Sequence, residues 1–189
     1  MSRNLYIADT HFGHRNCIRF DNRPFETIEE HDAALIANWN AVVMPEDHIY
    51  VVGDFAYKNS RPVSEYMSML NGHIHLIRGN HDKRSEEYER CFVSCNDILI
   101  VKDRFHGESR PVILCHYWMP FAPQQRHGAF VLHGHTHASK EARLEEEMKA
   151  KIRQNGIRCE AYNVGCMHQD YYPQTLDQII ARQDRKDIY

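Results

Sequence analysis

No stretch of this sequence approaches the roughly 18 consecutive apolar residues that a membrane span needs. The apolar run 5–8 near the start is far too short for a secretory signal and ends on Asp9, which predicts a cytoplasmic chain. The six cysteines (Cys17, Cys91, Cys95, Cys115, Cys159, Cys166) include no C-x-x-C pair, and without a secretory signal they predict free thiols, not a disulfide framework. No internal repeat or low-complexity tract is present. An excess of charge of one sign is also missing. The 23 Lys and Arg against 26 Asp and Glu leave a net charge of −3, which excludes coating nucleic acid by bulk electrostatics while leaving a local basic patch open. Hydrophobic residues at 42% and charged residues at 26% exclude a disordered or fibrous chain. At 189 residues the chain matches one domain, which buries roughly 70% of its unfolded surface and needs neither disulfide nor metal merely to fold. What the sequence does hold in excess is histidine, 14 residues, several beside Asp, Asn or Gly, and this points to metal or proton chemistry.

Short apolar runs alternate with helical patterns, as in an α/β or mixed α+β domain. Strands are expected at 5–8, 49–52, 74–77, 97–102, 111–115, 130–132 and 159–164, with the polar segment 103–110 read as the turn between the fourth and fifth. Helices are expected at 27–43, opened by a Thr27/Glu30 capping box, at 62–70 and at 175–183. Segment 140–154 reads as a charged surface helix with a narrow apolar stripe, Leu144, Met148 and Ile152. Five of the strands run into clusters of Asp, His or Asn, and ligands collect outside the carboxyl ends of strands in such sheets.

Those clusters have the composition of a metal site. Hard and borderline cations take carboxylate oxygen and imidazole nitrogen, with amide oxygen as a weaker donor. Two cations about 3.5–4 Å apart need a bridging carboxylate and terminal ligands on each side. Asp9 and His11 stand at one strand end, Asp54 and Asn80 at two more, His116 at a fourth, and His135 and His137 at a fifth.

Asp9-Thr10-His11, Gly53-Asp54, Gly79-Asn80-His81-Asp82, His116 and Gly134-His135-Thr136-His137 resemble, in order, the five blocks of the calcineurin-like metallophosphoesterases. The likeness runs from residue 5 to about 180. His11-Phe12-Gly13-His14, Arg23-Pro24-Phe25 and Asn38-Trp39-Asn40 resemble a small single-domain bacterial and phage subgroup. The resemblance implies an α/β (α+β) fold of two mixed β-sheets packed face to face and flanked by helices, a four-layer αββα sandwich. It further implies a single domain over 1–189 with a charged helical insertion around 140–155. Asp9, His11 and His137 would hold a first metal, Asp54 would bridge, and Asn80, His116 and His135 would hold a second. His81 would be the catalytic imidazole beside the phosphate. The cofactor expected is two divalent ions, Mn²⁺ first, with Fe, Zn, Ni or Co as alternatives.

The activity expected is hydrolysis of a phosphodiester, nucleotide-like, by a metal-bridging hydroxide. The alternatives are a phosphomonoesterase acting on a small metabolite and a metal-binding scaffold without catalysis. The partner expected is a small phosphorylated or nucleotide-like substrate, with no membrane and no stable nucleic-acid complex. Phe12, Phe20, Tyr57, Tyr117, Trp118 and Phe121 lie in the loops around the clusters and either stack on a base or pack the loops. His14 and Arg23 are candidate substrate contacts; for Arg23 the competing expectation is a pair with Asp21 or Glu26 that orders the loop. His31, His48, His106 and His127 are expected on solvated surface, His73 and His75 in a structural role, and His133 is left outside the ligand set.

Overall fold

The computed structural model describes residues 2–58 and 61–186. Its strands are β1 (Asn4–Ile7), β2 (His48–Val52), β3 (His73–Ile77), β4 (Ser94–Asn96), β5 (Ile98–Phe105), β6 (Glu108–Cys115), β7 (Phe130–His133) and β8 (Ala161–Asn163). Its helices are α1 (Arg15–Phe20), α2 (Ile28–Val42), α3 (Val63–Met69), α4 (Glu86–Glu89), α5 (Lys140–Gln154) and α6 (Leu176–Lys186). β1 to β4 form one parallel sheet in chain order. β5 to β8 form a second, mixed sheet, in which β5 and β6 are antiparallel and the other pairs parallel.

The strands read as near-continuous apolar runs because both of their faces are covered. On one face of the first sheet, Leu5, Ile7, Ile49, Val51, Ile74 and Leu76 pack on Leu35 and Trp39 of α2 and Tyr66 of α3. The alternate residues Tyr6, Tyr50, Val52 and Ile77 meet Val112, Leu114, Phe130 and Leu132 of the second sheet, and Leu176, Ile179 and Ile180 of α6 close that layer. Behind the second sheet, Ile113, Val131 and Ala161 pack on Trp118, Met119 and Ile152. This is the expected layering of helix, sheet, sheet and helix.

Local signals account for most boundaries. The Thr27 hydroxyl accepts the Glu30 N–H at 3.1 Å, but the Glu30 carboxylate takes the N–H of Glu26, not of Thr27, so the box closes one residue early. Segment 103–110 is not a turn. The β5–β6 ladder continues through Phe105 opposite Glu108, and only His106 (φ 50°) and Gly107 (φ 84°) turn, the two left-handed residues of a tight hairpin. Polarity misled here, since the outer part of the hairpin alternates exposed and half-buried residues and carries charge. α1, α4 and β4, at most six residues each, were not foreseen. All six cysteines are free, and among the described residues no helix is long and apolar enough to cross a membrane.

Of the stripe expected on α5 only Ile152 packs inward; the rest of the helix inverts its expected faces. Leu144 and Met148 are exposed, whereas Glu145 and Lys149 are buried, Lys149 completely. Lys149 Nζ lies 2.7 Å from Glu145 Oε1, 2.8 Å from Glu146 Oε1 and 2.9 Å from His133 Nε2 on β7. The second Glu145 oxygen accepts the Thr136 hydroxyl at 3.1 Å, and Thr136 accepts from Asn163. The helix is therefore fastened to the second sheet where His133 and Thr136 meet its buried Glu145–Lys149 ion pair, and the Lys149 ammonium also lies over the Trp118 ring. Burial opposes the Glu145 charge, but His133 and Lys149 outweigh it and hold the carboxyl down at about 2. Its stabilising charge is thus complete above the ordinary glutamate range near 4.5 and is lost as pH falls toward about 2. Removing one partner of a buried pair costs more than replacing both. Lys149→Met should therefore destabilise the protein by about 3–5 kcal/mol in urea unfolding, and adding Glu145→Leu should recover a substantial part. A double variant no more stable than the single one would show that the pair does not fasten the helix.

Candidate metal centre

Parallel strands deliver their carboxyl ends to one edge of the sandwich. Asp9 and His11 follow β1, Asp54 follows β2, and Asn80 and His81 follow β3. His116 follows β6, and His135 and His137 follow β7. The loops are locked together by backbone: Asp9 N–H donates to Gly53 C=O, His11 N–H to Asp54 C=O, and Gly134 N–H to His116 C=O, each at 3.0 Å. Asp9 (φ 55°), His11 (φ 50°), Asp54 (φ 54°), His135 (φ 73°) and His137 (φ 48°) all adopt the left-handed conformation. This is uncommon for residues bearing a Cβ, and its clustering on one set of polar side chains marks a site whose geometry the surrounding fold enforces. Two motif glycines have a steric role: a Cβ at Gly53 would collide with the His116 ring, and one at Gly79 with the Asp54 carboxylate and amide.

Two groups of side chains meet at Asp54. In the first, ligand atoms of Asp9, His11, Asp54 and His137 lie within 4.8 Å of one another, a group able to hold a metal ion. His137 Nε2 is 3.3 Å from both Asp9 Oδ1 and His11 Nε2. In the second, Asn80 Oδ1 is 3.1 Å from His116 Nε2 and 3.0 Å from His135 Nδ1. Asp54 Oδ2 faces both, 3.6 Å from His11 Nε2 and 3.5 Å from His116 Nε2. His116 Nδ1 donates to Val52 C=O at 3.0 Å, which leaves Nε2 toward the centre.

The electrostatics favour a cation. Burial disfavours charge on Asp9 and Asp54, yet hydrogen bonds and charge from the surrounding imidazoles outweigh it, holding Asp9 below its ordinary value and Asp54 at about 2. Burial pushes His11 down to about 3 and so keeps it neutral, as a ligand must be. Against burial, the acids raise His116 to about 8 and His137 to about 10, so the pocket strongly favours positive charge. Two buried carboxylates, neutral imidazole and an amide oxygen suit divalent ions.

The remaining predicted residues separate. His81 stands at the open edge with its side chain 31% exposed, Nε2 4.0 Å from Asp54 Oδ2 and its N–H donating to Asp54 Oδ1 at 2.8 Å. His14 is half-buried beside His11 and Tyr57, at the mouth. Arg23 is not a substrate contact: its side chain is fully buried. Its guanidinium donates to the carbonyls of Asp9 (2.9 Å) and Thr10 (3.2 Å) and to Asp21 Oδ2 (2.9 Å). The competing expectation, a pair with Asp21, is the one realised. Phe12 is likewise core, packed on Phe55 and Tyr66, whereas Phe20, Tyr117 and Phe121 are exposed. His31, expected on the surface, is fully buried against Arg23 and Asp32.

Sequence reasoning missed Asp21 as a support of the centre. Its Oδ1 accepts the His137 Nδ1–H at 2.7 Å, aiming Nε2 at Asp9 and His11. A buried chain stands behind it: Tyr66 donates to Asp32, Asp32 accepts from His31, His31 accepts from Arg23, and Arg23 donates to Asp21. Asp82, the last residue of the Gly-Asn-His-Asp block, takes the N–H groups of Asp54, Phe55 and Gly79 and the Tyr88 hydroxyl, so it ties two loops together. Only the nearness of Asp21 to Arg23 hinted at any of this, and nothing local pairs Asp21 with a histidine 116 residues away.

Comparison with known proteins agrees with this geometry. Residues 3–150 match the calcineurin-like phosphoesterase superfamily domain. The chain is 32% identical over 181 residues to the uncharacterized protein MJ1445 of Methanocaldococcus jannaschii, covering 94% of this chain and 90% of that one. It is 26% identical over 164 residues to the Gene 66 protein of Mycobacterium phage L5, covering 73% and 79%. The crystal structure of the protein of unknown function AQ665 from Aquifex aeolicus has the same fold, with a TM-score of 0.71 and 24% identity over 96% of this chain and 99% of that one.

If Asp21 orients His137, Asp21→Ala should weaken Mn²⁺ binding about 10–100-fold, the usual effect of removing such a support. Arg23→Ala, which strips buried carbonyls and a carboxylate of their donor, should instead lower the melting temperature markedly. Calorimetric titration and thermal melts read the two separately. An Asp21→Ala protein with parental Mn²⁺ affinity would show that packing alone orients His137.

Proposed function

Because this chain belongs to the calcineurin-like phosphoesterase superfamily, we propose that it is a metal-dependent hydrolase of phosphoric esters built around two divalent ions. The observation that carries this reading is the position of the Asp54 carboxylate between two donor groups, His11 with Asp9 and His137 on one side, His116 with Asn80 and His135 on the other. Asp9, His11 and His137 would hold the first ion, Asn80, His116 and His135 the second, and Asp54 would serve both. Two divalent ions bound there would supply Lewis-acid charge for the phosphoryl oxygens and lower the pKa of a bound water toward neutrality. The donor set mixes nitrogen and oxygen, which favours Mn²⁺ or another transition ion over Mg²⁺.

The protein's own part is positioning and proton transfer. His81 is partly exposed and held beside Asp54 by its backbone N–H, with its ring against Tyr57 at 4.1 Å. From there its imidazole donates to a phosphoryl oxygen or protonates the leaving group. Tyr117 favours a nucleotide-like diester over a compact monoester: it is 47% exposed, with its ring 4.6 Å from His135 and its hydroxyl 3.5 Å from Asn80 Oδ1. An exposed ring at that distance from the centre offers a stacking surface for a base.

Chelation should abolish hydrolysis of bis(p-nitrophenyl) phosphate, and Mn²⁺ should restore it. Asp54→Asn should lose both metal and turnover. His81→Asn should keep its metal content and lose roughly 10²–10⁴ in kcat, the range for a positioned acid or base. Full activity of the chelated, metal-free protein would overturn the reading, and loss of metal from His81→Asn would overturn the role given to His81. Faster turnover of p-nitrophenyl phosphate than of the diester would shift the substrate class to monoesters.

A further inference from the structure

The opposite end of the first sheet carries a second histidine cluster, well away from the carboxyl strand ends. His48 is the first residue of β2 and His73 the first of β3, and the two are register partners. His75 lies two residues further along β3, so the period of two puts its side chain on the same face as that of His73. The rings gather: His48 is 5.3 Å from His73 and 5.2 Å from His75, centroid to centroid. His48 Nδ1 and His75 Nε2 face one another at 2.9 Å. His75 Nδ1 is taken up by the Ser94 hydroxyl on β4 at 2.9 Å, and the Tyr50 ring stacks on that of His75 at 4.9 Å. One ring nitrogen is thus engaged by an outer partner while the other points at a neighbouring imidazole, the arrangement by which proteins aim a metal-binding histidine.

We propose that His48, His73 and His75 form a second, separate metal site, selective for a borderline transition ion such as Ni²⁺, Zn²⁺ or Co²⁺. Three imidazoles without a carboxylate suit these ions and not Mn²⁺ or Mg²⁺. His48 and His75 already supply two converging nitrogens. His73 is exposed, with its ring laid on His48, and turns about its side-chain torsions to supply the third. His48 and His75 are half-buried, so the ion is reached from solvent. Loading clamps the amino ends of β2 and β3 together and, through Ser94, braces β4.

The test uses the full chain without a histidine tag, first saturated with Mn²⁺ and then equilibrated with Ni²⁺ above neutral pH. Elemental analysis should find one more equivalent of Ni²⁺ in the parent than in His48→Ala or His75→Ala. His73→Ala, an exposed substitution that leaves the fold intact, should weaken that equivalent about tenfold or more. Ni²⁺ should also raise the melting temperature of the parent more than that of the variants, as any ligand of the native state does. Asp54→Asn should retain the extra equivalent, so the outcome does not depend on the catalytic reading. Equal Ni²⁺ content and equal thermal shifts in the parent and all three variants would overturn the proposal.

Discussion

Two carboxylates, Asp9 and Asp54, are held charged inside the protein at the carboxyl edge of a parallel sheet, and much of the surrounding architecture follows from that constraint. A buried charge is tolerated only when it is paired and hydrogen-bonded. The imidazoles of His11, His116 and His137 stand within 4 Å of these acids, and the backbone N–H groups of His81 and His135 donate to them. Bringing so many groups to one point from five loops requires backbone that ordinary residues avoid. Hence the left-handed Asp9, His11, Asp54, His135 and His137, and the absence of a side chain at Gly53 and Gly79. Such conformations persist because the loops are cross-tied by main-chain hydrogen bonds and by Asp82.

The centre is propped from two sides by buried polar networks. On one side Asp21, Arg23, His31 and Asp32 run from His137 back to Tyr66. On the other, Lys149 and Glu145 of α5 reach His133 and Thr136, which flank the Gly134-His135 turn. Apolar packing would stabilise these regions equally well, but it does not dictate the direction of an imidazole N–H, whereas a hydrogen bond does. The open face is built differently: His81, His14 and Tyr117 are partly exposed. The same sheet therefore gathers carboxylates with imidazoles at one end and three imidazoles at the other.

Much of this was legible in the residue order. The layers, the strands that end in polar clusters and the helix opened by Thr27 follow from patterns within a few residues of one another, the range over which apolar periodicity and capping operate. The gathering of Asp9, His11, Asp54, Asn80, His116, His135 and His137 was legible for a related reason. Each sits at a strand end, and parallel strands of one sandwich bring their carboxyl ends to a common edge. Polarity by itself was a poor guide. It hid the outer half of the β5–β6 hairpin, put His31 and Lys149 on the surface, and turned Arg23 toward substrate.

What the sequence by itself determined is the set of elements, their likeness to a phosphoesterase family and the identity of the groups at the strand ends. Only the tertiary structure decided which buried charges pair: Asp21 with His137, Arg23 with Asp21 and two carbonyls, and Glu145 with Lys149 and His133. The physical reason is that local pattern records how a residue partitions between water and core, whereas a buried ionic group is stable only through partners that folding brings from distant parts of the chain. Those partners leave no periodicity behind, so their positions appear only once the layers are stacked.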